Sequence, residues 1–302
     1  KNISNSLLFI FGLMVLIVAC SKKEIITPVS KEIIHFDEYH GQKVSDPYRW
    51  LENFTDDEVR EWVRLQNNYS QQFLKNRFQK SIKQDLELIW TSEYLSTPFK
   101  VGEKIFYYFN TGKLEQNRLM IRDCESCPER ILIDPNDFSN DGTVSLASVS
   151  VSPNAEWIAF AKSDGGSDWR TWKIMNIASG EILDDEIEWS KFSSAEWSPD
   201  SKGFFYRKYL KPDGEELLDL NSSPKLMFHS IGTDQINDQI IIWDKNDPLL
   251  SRSIKVSDDS QYKILFTEKG TDERNLISIS RYDDEEFITV IDEFIASYTF
   301  ID

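Results

Sequence analysis

"WSPDSKGFFYRKY", residues 197–209, is the stretch that decides the fold. A serine and a short acidic turn precede a run of aromatic residues, which is typical of a strand that follows a tight turn. The pattern recurs in "VSPNAEWIAFAKS" from Val151 and "VSDDSQYKILFTE" from Val256, and "KVGEKIFYYFN" from Lys100 repeats the strand without the serine. A period near 50 residues with about four short strands per unit indicates β-propeller blades. The sequence therefore predicts a mainly β chain with about four blades.

The region before residue 91 has a different texture, because its apolar residues recur at helical spacing. Thr55 and Glu58 form a capping-box pattern, and an apolar face runs from Val59 to Phe73, which predicts one helix. A second, shorter helix is predicted from Ile82 to Trp90.

The N-terminal residues read as an export signal. An apolar run, "SLLFIFGLMVLIVAC", is followed at once by the charged "SKKE", and it is too short for a comfortable membrane span. Its end resembles a bacterial lipobox, which implies cleavage before Cys20 and lipidation of that thiol. The alternative is an ordinary anchor helix with a chance cysteine. Either way we expect an exported protein. The lipobox interpretation makes it a periplasmic or cell-envelope lipoprotein that meets the membrane only through its lipid.

Composition and charge restrict the partners. The chain has 302 residues, enough for one large or two ordinary folded domains, and its hydrophobic content of 40% suffices for a packed core. Its formal net charge is −17. The acidic balance argues against nucleic acid, whose phosphates need lysine and arginine, and it disfavours an anionic membrane surface. The first residue is Lys1, and the last residues stop inside a strand-like run, so we expect a piece of a longer protein.

The remaining cysteines, Cys124 and Cys127, form a single Cys-Glu-Ser-Cys motif. A structural zinc site needs four ligands, and the chain offers no second pair, so we expect no metal and no cofactor. In an oxidising compartment the pair could close a disulfide, and two free thiols are the alternative.

Motifs for catalysis are missing from the sequence. It contains no G-x-S-x-G, H-E-x-x-H, P-loop or G-x-G-x-x-G pattern. The three histidines are His35, His40 and His229, and none stands in a pattern that favours a serine–histidine–aspartate triad. In "SDGGSDWRTW" the two glycines permit a turn that Ser167 and Asp168 can stabilise, so a structural role is preferred to ligand contact.

Taken together, the motifs resemble the amino-terminal part of a prolyl oligopeptidase. They follow in order over nearly all of the chain after the signal, and they are "YHGQKVSDPYRWLEN", "FYYFNTG", "ILIDPND", "DGTVSLASVSVSPN", "GGSDWRTW", "WSKFSSAEWSPDSKGFFYRKY", "HSIGTDQINDQIII" and "VSDDSQYKILF". After the lipoprotein-type signal peptide predicted over 1–20, the resemblance implies a helical segment over 21–91 and an incomplete seven-bladed propeller over 92–302. The segment from His40 to Asn53 would clasp an α/β-hydrolase domain encoded later in the chain.

The resemblance also implies the activity. Members of the family are serine endopeptidases that cut short peptides after proline, and their propeller limits access to the active site. Their catalytic residues follow the propeller, so this chain is expected to contain none and to be inactive alone. Phe192 matches a phenylalanine that lines an apolar subsite upstream of the bound proline, with plain blade core as its alternative role. Glu268 stands where the family often has an arginine, which leaves the peptide preference open.

Two other hypotheses remain. The chain could be a non-enzymatic propeller that binds peptides or proteins at the cell surface, although such a protein has no use for a hydrolase clasp. It could also be a degenerate, truncated product. An arc of four blades with open edges is predicted to be poorly soluble or oligomeric when expressed alone.

Overall fold

The structure is a computed structural model that describes residues 27–75, 77–212 and 222–301. The predicted signal and Cys20 lie outside these residues. The chain divides after Trp90 into two compact units, which are described separately. Within the described ranges, no helix combines the length and the apolar character needed to cross a membrane.

The first unit opens with a β-hairpin. Strands β1 (Phe36–Tyr39) and β2 (Gln42–Ser45) pair in antiparallel register. His40 and Gly41 form the two-residue turn with φ angles of 51° and 77°, as a type I′ turn requires. His40 is thus an exposed turn residue.

The predicted clasp continues from this hairpin. Asp46 begins a turn by accepting a hydrogen bond from the amide of Tyr48 at 3.2 Å, and Arg49–Glu52 follow as one 3-10 turn. The guanidinium of Arg49 contacts the carboxylates of Asp37, Asp46 and Glu52. These ion pairs tie the turn to the hairpin, so the segment has a defined local structure.

Two helices complete the unit, α1 (Asp57–Leu74) and α2 (Arg77–Trp90). The predicted capping box was wrong: the N-cap is Asp56, whose carboxylate accepts the amide hydrogen of Glu58, while the Thr55 hydroxyl bonds to Asn53. An aspartate also suits this end because its charge opposes the positive end of the helix dipole. On α2 several large apolar side chains are exposed, namely Ile82, Leu86, Leu88 and Trp90.

In its described residues, the second unit contains four antiparallel sheets in chain order, each a propeller blade. Blade 1 contains β3 (Tyr94–Leu95), β4 (Phe99–Val101), β5 (Lys104–Asn110), β6 (Arg118–Arg122) and β7 (Glu129–Ile133). Blade 2 contains β8 (Val144–Val151), β9 (Trp157–Asp164), β10 (Arg170–Asn176) and β11 (Ile187–Ser190). Blade 3 contains β12 (Glu196–Trp197), β13 (Gly203–Lys208), β14 (Lys225–Ser230) and β15 (Gln239–Trp243). Blade 4 contains β16 (Leu250–Val256), β17 (Tyr262–Lys269), β18 (Asn275–Arg281) and β19 (Ile288–Ile291).

The serine of each full repeat builds the turn between the first two strands of its blade. Its hydroxyl lies 2.7 Å from the Asn or Asp two residues later, and its carbonyl accepts the amide of the third residue, which has a positive φ. The three turns start at Ser152, Ser198 and Ser257. Short polar side chains that bond to nearby backbone favour such turns, which explains the repeated residue types.

Apolar layers between successive blades form the core. Strand β13 shows why its sequence is almost wholly aromatic: Phe204 and Tyr206 face blade 2, whereas Phe205 packs with Leu226 and with Ile254 of blade 4. Alternate residues of a strand point to opposite faces, and here both faces are covered. The predicted mainly β chain with about four blades of a partial propeller is confirmed.

Candidate functional site

The loop between β11 and β12 presents Phe192. Trp189 and Phe192 have φ angles of 59° and 48°, which bulky side chains rarely adopt. Ser190 and Lys191 between them are buried, whereas Phe192 is 49% exposed. Backbone strain of this kind persists only where the surroundings impose it. The surroundings therefore fix the backbone at Phe192 while this residue stays partly exposed.

Arg207 of β13 holds this loop in place through hydrogen bonds. Its side chain is 7% exposed, and its guanidinium donates to the carbonyl oxygens of Phe192 at 3.1 Å and Arg252 at 3.3 Å. The amide of Arg207 donates to the hydroxyl of Ser193 at 2.9 Å, and Arg170 donates to the Ser193 carbonyl at 2.7 Å. Two arginines from two blades thus hold the two consecutive carbonyl groups of Phe192 and Ser193.

A cavity of about 130 Å³ lies at this loop, between blades 3 and 4. Its polar lining comprises Ser193, Ser194, Arg207, Arg252, Ser253 and Glu268, and Phe192 is part of its wall. Arg207 donates to Oε2 of Glu268 at 2.8 Å, and Arg252 pairs with Asp244 at 3.1 Å. Burial lowers the pKa of Arg252, although the neighbouring Asp244 and Asp247 oppose this shift.

This arrangement suits side-chain recognition and not bond cleavage. The hydroxyl of Ser193 donates to the carbonyl of Ser194 at 3.0 Å and accepts the amide of Arg207, so no base takes its proton. A serine becomes nucleophilic only beside such a base. An exposed ring next to a partly exposed carboxylate can instead bind an extended side chain.

A second polar cluster surrounds His229 between blades 2 and 3. Its side chain is fully buried, with Nδ1 at 2.7 Å from Oδ1 of Asp238 and Nε2 at 2.9 Å from Oδ1 of Asp185. Burial lowers the pKa of His229, but the hydrogen bonds and charges of Asp238 and Asp185 outweigh burial and raise the pKa overall. Because both ring nitrogens are held by carboxylates, His229 cannot act as a catalytic base.

The other predicted positions have structural surroundings. Cys124 and Cys127 form a disulfide in the turn between β6 and β7, which selects one of the two alternatives left by the sequence. In the described part of the chain, no group of three or more His, Cys, Asp or Glu residues could hold a metal ion. Gly165 and Gly166 both have positive φ, and their loop borders a cleft of about 780 Å³ over blade 2.

The structure brings Phe192 and Glu268 to one cavity, although they are distant in the chain. Sequence reasoning did not identify Arg207, Arg252 or the partners of His229. A weak signal for Arg207 and His229 was present, because each is a charged or titratable residue inside an otherwise apolar strand sequence. Apart from Asp238, which lies in the same blade as His229, their partners lie in other blades or in the Phe192 loop, where no local pattern could indicate them.

Comparison with known proteins gives the family. Residues 28–302 match the model of the prolyl oligopeptidase N-terminal β-propeller domain. The chain is 34% identical over 277 residues to the prolyl endopeptidase of Elizabethkingia miricola and 35% identical over 269 residues to that of Elizabethkingia meningoseptica. These matches cover 91% and 88% of this chain but only 39% and 38% of the two relatives, so the chain spans well under half their length.

Solved structures agree with this result. A structure from a study of two prolyl endopeptidases superposes with a TM-score of 0.80 at 28% identity, covering 89% of this chain and 40% of that one. Prolyl oligopeptidase B from Galerina marginata, bound to a 35-residue hydrolysis and macrocyclization substrate, gives a TM-score of 0.78 at 25% identity, covering 91% and 42%. With four stacked blades and a family model matched over almost its whole length, the chain belongs to the prolyl oligopeptidase family.

Proposed function

We propose that this chain is the clasp and propeller portion of a longer serine endopeptidase that hydrolyses short peptides after proline. The observation that carries the proposal is the loop of Phe192, where a strained backbone and two arginines keep one aromatic ring at a cavity mouth. Such a ring suits an apolar peptide side chain near a prolyl bond. Family membership supplies the reaction class.

The propeller contributes access control in this proposal. Blades stacked around an axis admit short peptides and exclude folded proteins, and seclusion from water strengthens the dipoles that stabilise a developing oxyanion. The nucleophile, its base and the oxyanion hole would come from an α/β-hydrolase domain that follows the propeller in the longer protein. Acyl transfer to that serine and hydrolysis by water would complete the reaction.

The segment from His40 to Asn53 is proposed to pack on that hydrolase domain. Exposed apolar side chains on α2, among them Leu88 and Trp90, support a further packing surface in this part of the chain. Lipidation of Cys20 and export to the periplasm or cell envelope belong to the same proposal. Replacing Cys20 with Ser should release the protein from the membrane fraction and abolish incorporation of labelled palmitate.

The main test is expression of the complete reading frame and of residues 21–302 side by side. Both are assayed with a short fluorogenic peptide that ends in a prolyl amide. We expect cleavage by the complete protein and none by the shorter chain. Binding of peptides without any cleavage by the complete protein would favour the alternative of a non-enzymatic surface propeller.

A further inference from the structure

Glu268 carries an acceptor that the fold does not use. Its Oε2 atom accepts hydrogen bonds from Arg207 at 2.8 Å and from the hydroxyl of Ser251 at 3.2 Å. Within the described ranges, Oε1 makes no hydrogen bond, and the side chain is 44% exposed. One oxygen of this carboxylate is therefore fixed by the protein, and the other is available in a side chain that lines the cavity.

The positive charges around the cavity are less accessible than this carboxylate. The side chains of Arg207 and Arg252 are 7% and 17% exposed. Each nitrogen of the Arg207 guanidinium already donates to a protein oxygen, on Phe192, Arg252 or Glu268. Arg252 is paired with Asp244, and its Nη1 atom is buried without a hydrogen bond. An anionic ligand would therefore find few accessible cationic groups here. The accessible groups of the lining are the exposed Phe192 and Ser194 and the partly exposed carboxylate of Glu268.

We propose that Phe192 and Glu268 form a subsite for a cationic peptide residue, lysine or arginine, upstream of the cleaved proline. The aliphatic stem would lie along the ring of Phe192, and the charged head would reach Oε1 of Glu268. Long cationic side chains commonly bury their stems in this way, and a ring face adds cation–π attraction. This inference rests on the proposed function and defines its substrate class.

Arg207 acts as a positioning residue in this subsite. It contacts both elements at once, the carbonyl of Phe192 and Oε2 of Glu268, and so sets where the ring and the carboxylate lie relative to each other. It also leaves Oε1 as the atom that remains available for the peptide.

The experiment compares peptides that differ at a single residue. The complete protein cleaves matched fluorogenic peptides carrying lysine, norleucine or glutamate at each of the three positions before proline, and kcat/KM is measured for each. Norleucine keeps the length of the lysine stem without its charge. At one position we expect lysine to exceed norleucine about fivefold and glutamate to fall below it, as for a partly exposed ion pair. This preference should shrink at high salt.

Two variants assign the effect. Glu268→Gln keeps an oxygen for Arg207 but removes the charge, so the ratio of lysine to norleucine should fall to about one. Glu273→Gln removes an exposed charge in the following turn and should leave the ratio unchanged. Melting temperatures of both variants check that they fold, and ratios cancel any change in total activity.

The outcomes are distinguishable. Absence of cleavage of every peptide overturns the proposed function and this inference with it. Cleavage with equal rates for lysine and norleucine at all positions overturns only the cationic subsite. A lysine preference that survives in Glu268→Gln overturns the assignment to Glu268.

Discussion

Replacement of His229 with Gln is the sharpest test of how the blades are held together. The imidazole bridges Asp185, which follows β10 in blade 2, and Asp238, which precedes β15 in blade 3, and all three side chains are buried. Both ring nitrogens lie within hydrogen-bond distance of a carboxylate oxygen, and the two aspartates raise the pKa of His229, so the fold favours the protonated ring. The variant cannot be protonated and leaves the two buried carboxylates without this counter-charge.

The expected cost follows from these contacts. Removing one partner of a buried ion pair costs about 3–5 kcal/mol, because the remaining charge is uncompensated. Asp185 keeps the amide of Gly232 at 2.7 Å and Asp238 keeps the hydroxyl of Tyr206 at 2.6 Å, so the lower end of that range applies. We expect His229→Gln to lower the free energy of unfolding by about 3 kcal/mol.

The dependence on pH follows from the raised pKa. A group whose pKa is higher in the folded state contributes stability that is complete below its unfolded pKa, about 6.5 for histidine. That contribution declines as pH rises above 6.5 and is lost through the folded pKa. The unmodified protein should therefore lose stability from pH 6.5 upward through His229, and the variant should lack this component.

Urea denaturation followed by tryptophan fluorescence measures both effects. With a slope of about 1–3 kcal/mol per molar urea, the midpoint should fall by about 1–3 M at pH 6.5. His40→Asn is the control, because His40 is exposed in a turn and Asn tolerates its positive φ. A midpoint within about 0.2 M of the unmodified protein, or an unchanged pH slope, would refute a charged inter-blade bridge.

Three further changes have expected outcomes. Arg207→Gln should raise KM for prolyl peptides more than it lowers kcat in the complete protein, because it releases the Phe192 carbonyl; an effect on kcat alone would contradict a positioning role. Gly203→Ala places a Cβ 2.2 Å from the carbonyl oxygen of His229, so it should lower the free energy of unfolding by about 3 kcal/mol or more, measured in urea. The Cβ of Gly165→Ala meets no neighbour, so this control variant should cost only the strain of its positive φ. Equal losses in the two variants would be inconsistent with this packing. Replacing Cys124 and Cys127 with Ser should lower the free energy of unfolding by less than about 2 kcal/mol, because the closed loop is very short, and a larger loss would show that the disulfide also stabilises neighbouring blades.

Local chemistry made the blades predictable. The hydroxyl of each turn serine forms hydrogen bonds with residues up to five positions later in the chain, so the same short sequence pattern recurs at every such turn. Strand β13 could be recognised from its aromatic run, because a strand covered on both faces has few polar positions. The strand boundaries match the apolar runs closely for this reason.

The helix start shows the limit of local reasoning. Thr55, Asp56 and Asp57 are adjacent, and each residue type can serve as an N-cap. Asp56 is the N-cap because its carboxylate accepts a hydrogen bond from the amide of Glu58, whereas the hydroxyl of Thr55 donates to the side chain of Asn53. A difference of one residue depends on competing hydrogen bonds that a sequence pattern cannot rank.

By itself the sequence determined the repeated blade and the family resemblance, and it singled out Phe192 as a candidate site residue, since these depend on motifs whose residues are close in the chain. Only the tertiary structure decided that Glu268 lies at the Phe192 cavity, that Arg207 joins them, and that His229 is clamped by two aspartates. Arg207 and Glu268 are 61 positions apart, and His229 and Asp185 are 44 apart. Stacking sets these contacts, because each blade places its side chains against the next blade, about one repeat away along the chain.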